Sequence, residues 1–94
     1  MPAVVRRSDV NNAGGQAIGS LAETVLVNGL PCAVVGTVIS PHAPWGPPHP
    51  PHEAPTITTG ESTVLVEGRI ISIIGSGNTC GHVMAQGSPD VVAG

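Results

Sequence analysis

The chain has no lysine, no phenylalanine and no tyrosine, and Trp45 is its single aromatic residue. Without large rings, Val, Ile, Leu and Ala must supply the apolar mass, and at 94 residues the core is thin. Chains of this size usually need a metal, disulfides or a partner to hold a fold. Arg6, Arg7 and Arg69 are the strong cations, and the net charge is −3. That leaves no basic stripe for a nucleic-acid backbone to follow. No apolar run approaches the ~18–20 residues of a membrane-spanning helix. The N-terminus lacks the charged head and apolar run of a secretory signal. Helical periodicity is missing as well: no long window repeats its apolar positions at the helical period.

Short Val/Ile/Thr-rich runs bounded by Gly, Asn-Gly and Gly-Ser are present instead. They predict an all-β chain of short strands and tight turns, folded as one domain over residues 1–94. Asn28-Gly29 fits a two-residue hairpin turn between Thr24–Val27 and Cys32–Val35. Glu67-Gly68 fits the same turn between Thr63–Val66 and Ile70–Ile74.

These phrases repeat. Thr24-Val25-Leu26-Val27-Asn28-Gly29 returns as Thr63-Val64-Leu65-Val66-Glu67-Gly68, and a worn third copy, Ser88-Pro89-Asp90-Val91-Val92-Ala93-Gly94, follows. Pro2-Ala3-Val4-Val5 is echoed by Pro31-Cys32-Ala33-Val34-Val35-Gly36 and by Arg69-Ile70-Ile71-Ser72-Ile73-Ile74-Gly75. Three related units in so short a chain predict one body of approximate threefold symmetry.

Residues 41–55 break the pattern. Six prolines before Pro55 exclude a helix or an inner strand there. Three of the four histidines, His42, His49 and His52, lie in this stiff loop. The fourth, His82, follows Cys80 in Thr79-Cys80-Gly81-His82. Thiolate and neutral imidazole are preferred zinc ligands, and a closed set of four is structural rather than catalytic. The available set is Cys80, His82, His42 and one of His49 or His52. Counted from Ser8, Gly36 and Gly75, the units reach turns at Ala13-Gly14, Pro41-His42 and Cys80-Gly81-His82, which a threefold body gathers at one end. Cys32 and Cys80 permit one disulfide by count. The preferred reading instead buries Cys32 in the core and keeps Cys80 for metal.

With Gly-Ser/Glu-Ser-Thr-Val-Leu-Val-X-Gly, Pro31-Cys32-Ala33-Val34-Val35-Gly36 and Thr79-Cys80-Gly81-His82 before Gly87-Ser88-Pro89-Asp90-Val91, nearly the whole chain resembles the PAAR-repeat family. The resemblance implies a small β-cone whose broad face caps a trimeric β-helical spike protein. The machines concerned are type VI secretion systems and contractile phage tails. It also implies a zinc near the apex, held by three His and one Cys, which carries over by position to His42, His52, Cys80 and His82. No unit spells Pro-Ala-Ala-Arg. The arginine is replaced by Val5, Val34 or Val35, and Ile73, and Ala13 stands where relatives often have His. Many relatives carry a toxin at one end, and the length here leaves no room for one.

The expected function is therefore a non-enzymatic spike tip that helps pierce a target envelope. It would reside at the tip of a virion tail, or in the bacterial cytoplasm before secretion. One copy would bind one trimer through Thr24–Val27, Thr63–Val66 and Val91-Val92, with Trp45 and the loop pointing to the target. The alternatives are a small zinc-dependent hydrolase, for which Glu53 is the sole loop carboxylate, and a free-standing metal-binding module.

Overall fold

Asn28 and Glu67 adopt φ of +55° and +52°, and the glycines after them +79° and +77°. Left-handed backbone at both central positions is the two-residue turn that matches the twist of paired strands. In the computed structural model, which describes residues 2–40 and 55–93, these turns join β2 (Ala22–Val27) to β3 (Leu30–Cys32) and β5 (Glu61–Val66) to β6 (Arg69–Ile71). The two hairpins share one register: Ala22↔Cys32, Leu26↔Pro31 and Val27↔Leu30 in the first, Glu61↔Ile71, Leu65↔Ile70 and Val66↔Arg69 in the second. Both bulge between the first and second pairs. A third two-stranded sheet pairs β1 (Ala17–Gly19) with β4 (Val38–Ile39). The described residues are all-β, with no helix.

The worn third copy pairs as well. Ala3 bridges Val92, and the Ala93 N–H donates to the Pro2 carbonyl at 3.0 Å. Residues 2–4 and 88–93 thus form the counterpart of the two hairpins, from segments far apart in sequence.

Both return strands are shorter than expected. β3 ends at Cys32 and β6 at Ile71 because the next residue of each turns to another unit. Val5 N–H donates to the Ser72 carbonyl, Ala33 N–H to Val5 and Ser72 N–H to Ala33, each at 3.0 Å. The three bonds close a ring. A second set links the units in the opposite sense: Arg7 N–H donates to Pro31 at 2.9 Å, Val35 to Ile70 at 2.8 Å and Ile74 to Ala3 at 3.0 Å. Backbone donors buried in so small a body must be paired, and here each unit pairs the next.

Side chains follow the same rows. One cluster holds Val4, Cys32 and Ile71 with Val27, Val66 and Ala93; the other holds Val5 and Ala33 with Ala17, Ile57 and Met84. Each row brings matching positions of the three units into contact, so a thin aliphatic core is enclosed on all sides. No helix long and apolar enough to cross a membrane occurs among the described residues.

Candidate functional site

The last two residues of β2 and of β5 part to opposite sides. Val27 and Val66 face the core, whereas Leu26 and Leu65 face out, 61% and 62% exposed. Val92, opposite Ala3 as Leu26 is opposite Pro31, is 46% exposed. Three large aliphatic side chains at one register position therefore lie bare, with Val25 and Val91 exposed beside two of them.

The turn tips reach across to neighbouring strands. Glu67 Oε2 accepts the backbone N–H of Thr24 at 2.8 Å and the Thr24 hydroxyl. Asn28 Nδ2 donates to Asp90 Oδ1 at 2.7 Å, and Asn28 Oδ1 accepts from the Ser88 hydroxyl at 2.5 Å and from Arg6 at 3.2 Å. Hydrogen bonds hold the carboxyls of Glu67 and Asp90 below the usual carboxylate range, from Thr24 and from Asn28 and Ser88 respectively.

At the other end stand the three matched turns. Ser8, Gly36 and Gly75 open them with φ of +72°, +97° and +96°. The residue two before each donates its N–H to a side-chain oxygen three residues on: Arg6 to Asp9 at 2.8 Å, Val34 to Thr37 at 3.0 Å, Ile73 to Ser76 at 3.0 Å. These bonds revise the alignment of the repeats. Arg6, not Val5, matches Val34 and Ile73, so Ala3-Val4-Val5-Arg6 is the first unit's version of the family phrase. Arg6 also pairs with Asp9 at 2.9 Å. The turn starts Ser8, Gly36 and Gly75, equated in the sequence, carry this same register.

The first and third turns close alike, Asn11 N–H to the Gly15 carbonyl and Asn78 N–H to the His82 carbonyl, both at 2.8 Å. In the second unit the matching bond runs from Ile39 to Pro55 at 2.8 Å. The Pro/His segment is therefore inserted where the other units have short turns. Asn11 Nδ2 donates to Asn78 Oδ1 at 2.9 Å, tying the first turn to the third. Sequence reasoning missed this pair, although Asn stands three residues after both Ser8 and Gly75.

Cys80 and His82 sit on the third turn, both half-buried, with His82 Nε2 shielded from solvent. Their donor types, one thiol and one imidazole on a turn kept tight by Gly81 at φ +90°, fit a zinc site. His42, His49, His52, Glu53 and Trp45 lie outside the described residues. Among the described residues no three His, Cys, Asp or Glu gather to hold a metal, and no cavity opens on the surface. Both cysteines are thiols, not a disulfide. Cys32 is fully buried, and burial foremost, then the Glu67 charge, pushes its thiol up to about 11.

The model of one protein family, the PAAR motif, matches residues 7–86 of the chain. No curated protein matches it.

Proposed function

The chain belongs to the PAAR-motif family, a structural family of spike tips rather than of enzymes, and on that premise we propose that it caps and sharpens the central spike of a contractile injection machine. Members of the family associate with valine-glycine-repeat spike proteins. The observation that carries the reading furthest is the bare trio Leu26, Leu65 and Val92 at one register position of three matched units. Exposed aliphatic clusters of this kind mark docking faces. A trimeric spike presents one surface three times around its axis, and a body of three matched units would meet it with one copy per trimer. The rings of interunit bonds support a three-unit cone, its broad face carrying the trio and its narrow end carrying the turns of Asn11, Asn78 and Cys80.

Force delivered along the spike falls on the narrow end. There Cys80 and His82, with His42 and His52 from the inserted segment, are the proposed zinc ligands. Zinc held by four protein ligands would supply a closed, non-catalytic cross-link between the inserted segment and the third turn. The tip itself would act by stiffness and shape at the target envelope, and either a phage tail or a secretion machine accommodates it.

The test sets one double variant against a valine-glycine-repeat spike protein that the parent chain binds. Leu26→Asp with Leu65→Asp removes co-purification while circular dichroism stays unchanged. Retained binding by the double variant rejects the docking face.

A further inference from the structure

Asn28-Gly29 is the one Asn-Gly pair in the chain; Asn11, Asn12 and Asn78 are followed by Asn, Ala and Thr. Both residues are exposed, and nothing lies within 4 Å of where a side chain on Gly29 would project. A glycine after asparagine leaves the backbone nitrogen open to attack on the side-chain amide, because no side chain shields it. The same amide clasps residues 88–93. Its Nδ2 is a donor to Asp90, and its Oδ1 receives Ser88 and Arg6.

We propose that Asn28 is a site of spontaneous deamidation, and that the modification unfastens the strand segment 88–93. The Gly29 backbone nitrogen attacks Asn28 Cγ, and the bond to Nδ2 breaks. Ammonia leaves with the proton released from the Gly29 nitrogen. Water then opens the resulting succinimide at either carbonyl, giving aspartate or isoaspartate with no oxidant or reductant.

Either product removes the donor that faced Asp90 Oδ1 at 2.7 Å; aspartate puts a carboxylate in its place, and isoaspartate frees the main-chain carboxylate of residue 28 beside it. Three carboxylates, at 9, 28 and 90, then surround one guanidinium, Arg6, which already pairs with Asp9 at 2.9 Å. Like charges at that separation repel, and among the described residues no second cation is bonded to the cluster to offset them. Isoaspartate also lengthens the backbone at a two-residue turn, which breaks the register of Val27 with Leu30. Glu67-Gly68, at the same φ values, is an internal comparison, since a glutamate has no amide to lose.

The experiment incubates the purified full-length chain at pH 8.5 and 37 °C. Peptide mass analysis of the tip and amide exchange at Val4, Val91 and Ala93 are followed together. The expected result is conversion at Asn28, with exchange at those amides rising about tenfold, the effect on local opening of losing a charge-assisted hydrogen bond. Asn28→Asp, made directly, gives the same rise without incubation. An amide that survives in the folded chain while the excised tip peptide converts overturns the proposal. So does conversion, or the Asn28→Asp variant, with exchange at 88–93 unchanged.

Discussion

Ser72 donates its backbone N–H to Ala33 and accepts that of Val5, both at 3.0 Å, while its own hydroxyl is buried without a partner among the described residues. Val5 and Ala33, its counterparts in the ring, are apolar and equally buried. A buried hydroxyl that makes no bond costs its desolvation and returns nothing. Ser72→Ala is therefore expected to raise stability by about 1 kcal/mol, read as a higher denaturation midpoint at unchanged slope. A drop in the midpoint means the hydroxyl has a partner after all.

Glu67 and Asp90 make the second prediction. Their folded carboxyls titrate below the ordinary range because Thr24 on one side, and Asn28 and Ser88 on the other, bond the charged form. A carboxylate with a lowered folded pKa contributes stability above its unfolded value of about 4, and loses it as pH falls through the lowered value. The melting temperature should be level from pH 8 to 5 with respect to these groups and fall below about 4. Glu67→Gln should make that fall shallower. An identical acid profile for the variant removes Glu67 from the account.

Cys32 behaves in the opposite sense. Its thiol pKa is raised to about 11, so the neutral form is the one the fold favours. That contribution is complete below the ordinary thiol value and is lost as pH rises through about 11. In the native protein Cys32 should resist alkylation at pH 8 and react only after unfolding. Rapid native labelling of Cys32 contradicts its burial.

Much of this architecture was legible in the sequence. Asn28-Gly29 and Glu67-Gly68 announce their turns because only a left-handed pair fits between strands joined so tightly. The third copy at 88–93 was legible as a phrase, though its partner strand, residues 2–4, is distant in sequence. The early ends of β3 and β6 were not legible. Ala33 and Ser72 look like strand residues, and only the bonds to Val5 and Ala33 turn them away. Val5 was matched to the family arginine in place of Arg6, because the Arg6–Asp9 bond that marks the position is displayed by no spacing. Of the four residues proposed to hold zinc, Cys80 and His82 lie together on one turn, whereas His42 and His52 lie outside the described residues.

The proposed metal gives a fourth prediction. Structural zinc contributes ~10–16 kcal/mol in zinc-finger peptides, as much as the whole stability of an ordinary domain. Cys80→Ser should lose the metal and lower the melting temperature more than Cys32→Ser does. Elemental analysis of protein purified without chelator should give one zinc per chain. Equal shifts for the two variants, or less than about half an equivalent of metal in the parent, remove Cys80 from a metal site.

The measurement that tests the central claim most directly is the mass of the complex between this chain and its spike protein, by native mass spectrometry or light scattering. Three matched units in one chain predict a single copy on a trimer, with Trp45→Ala leaving the complex intact and Leu26→Asp with Leu65→Asp abolishing it. Three copies per trimer, or a complex that survives the double leucine variant, would contradict the account.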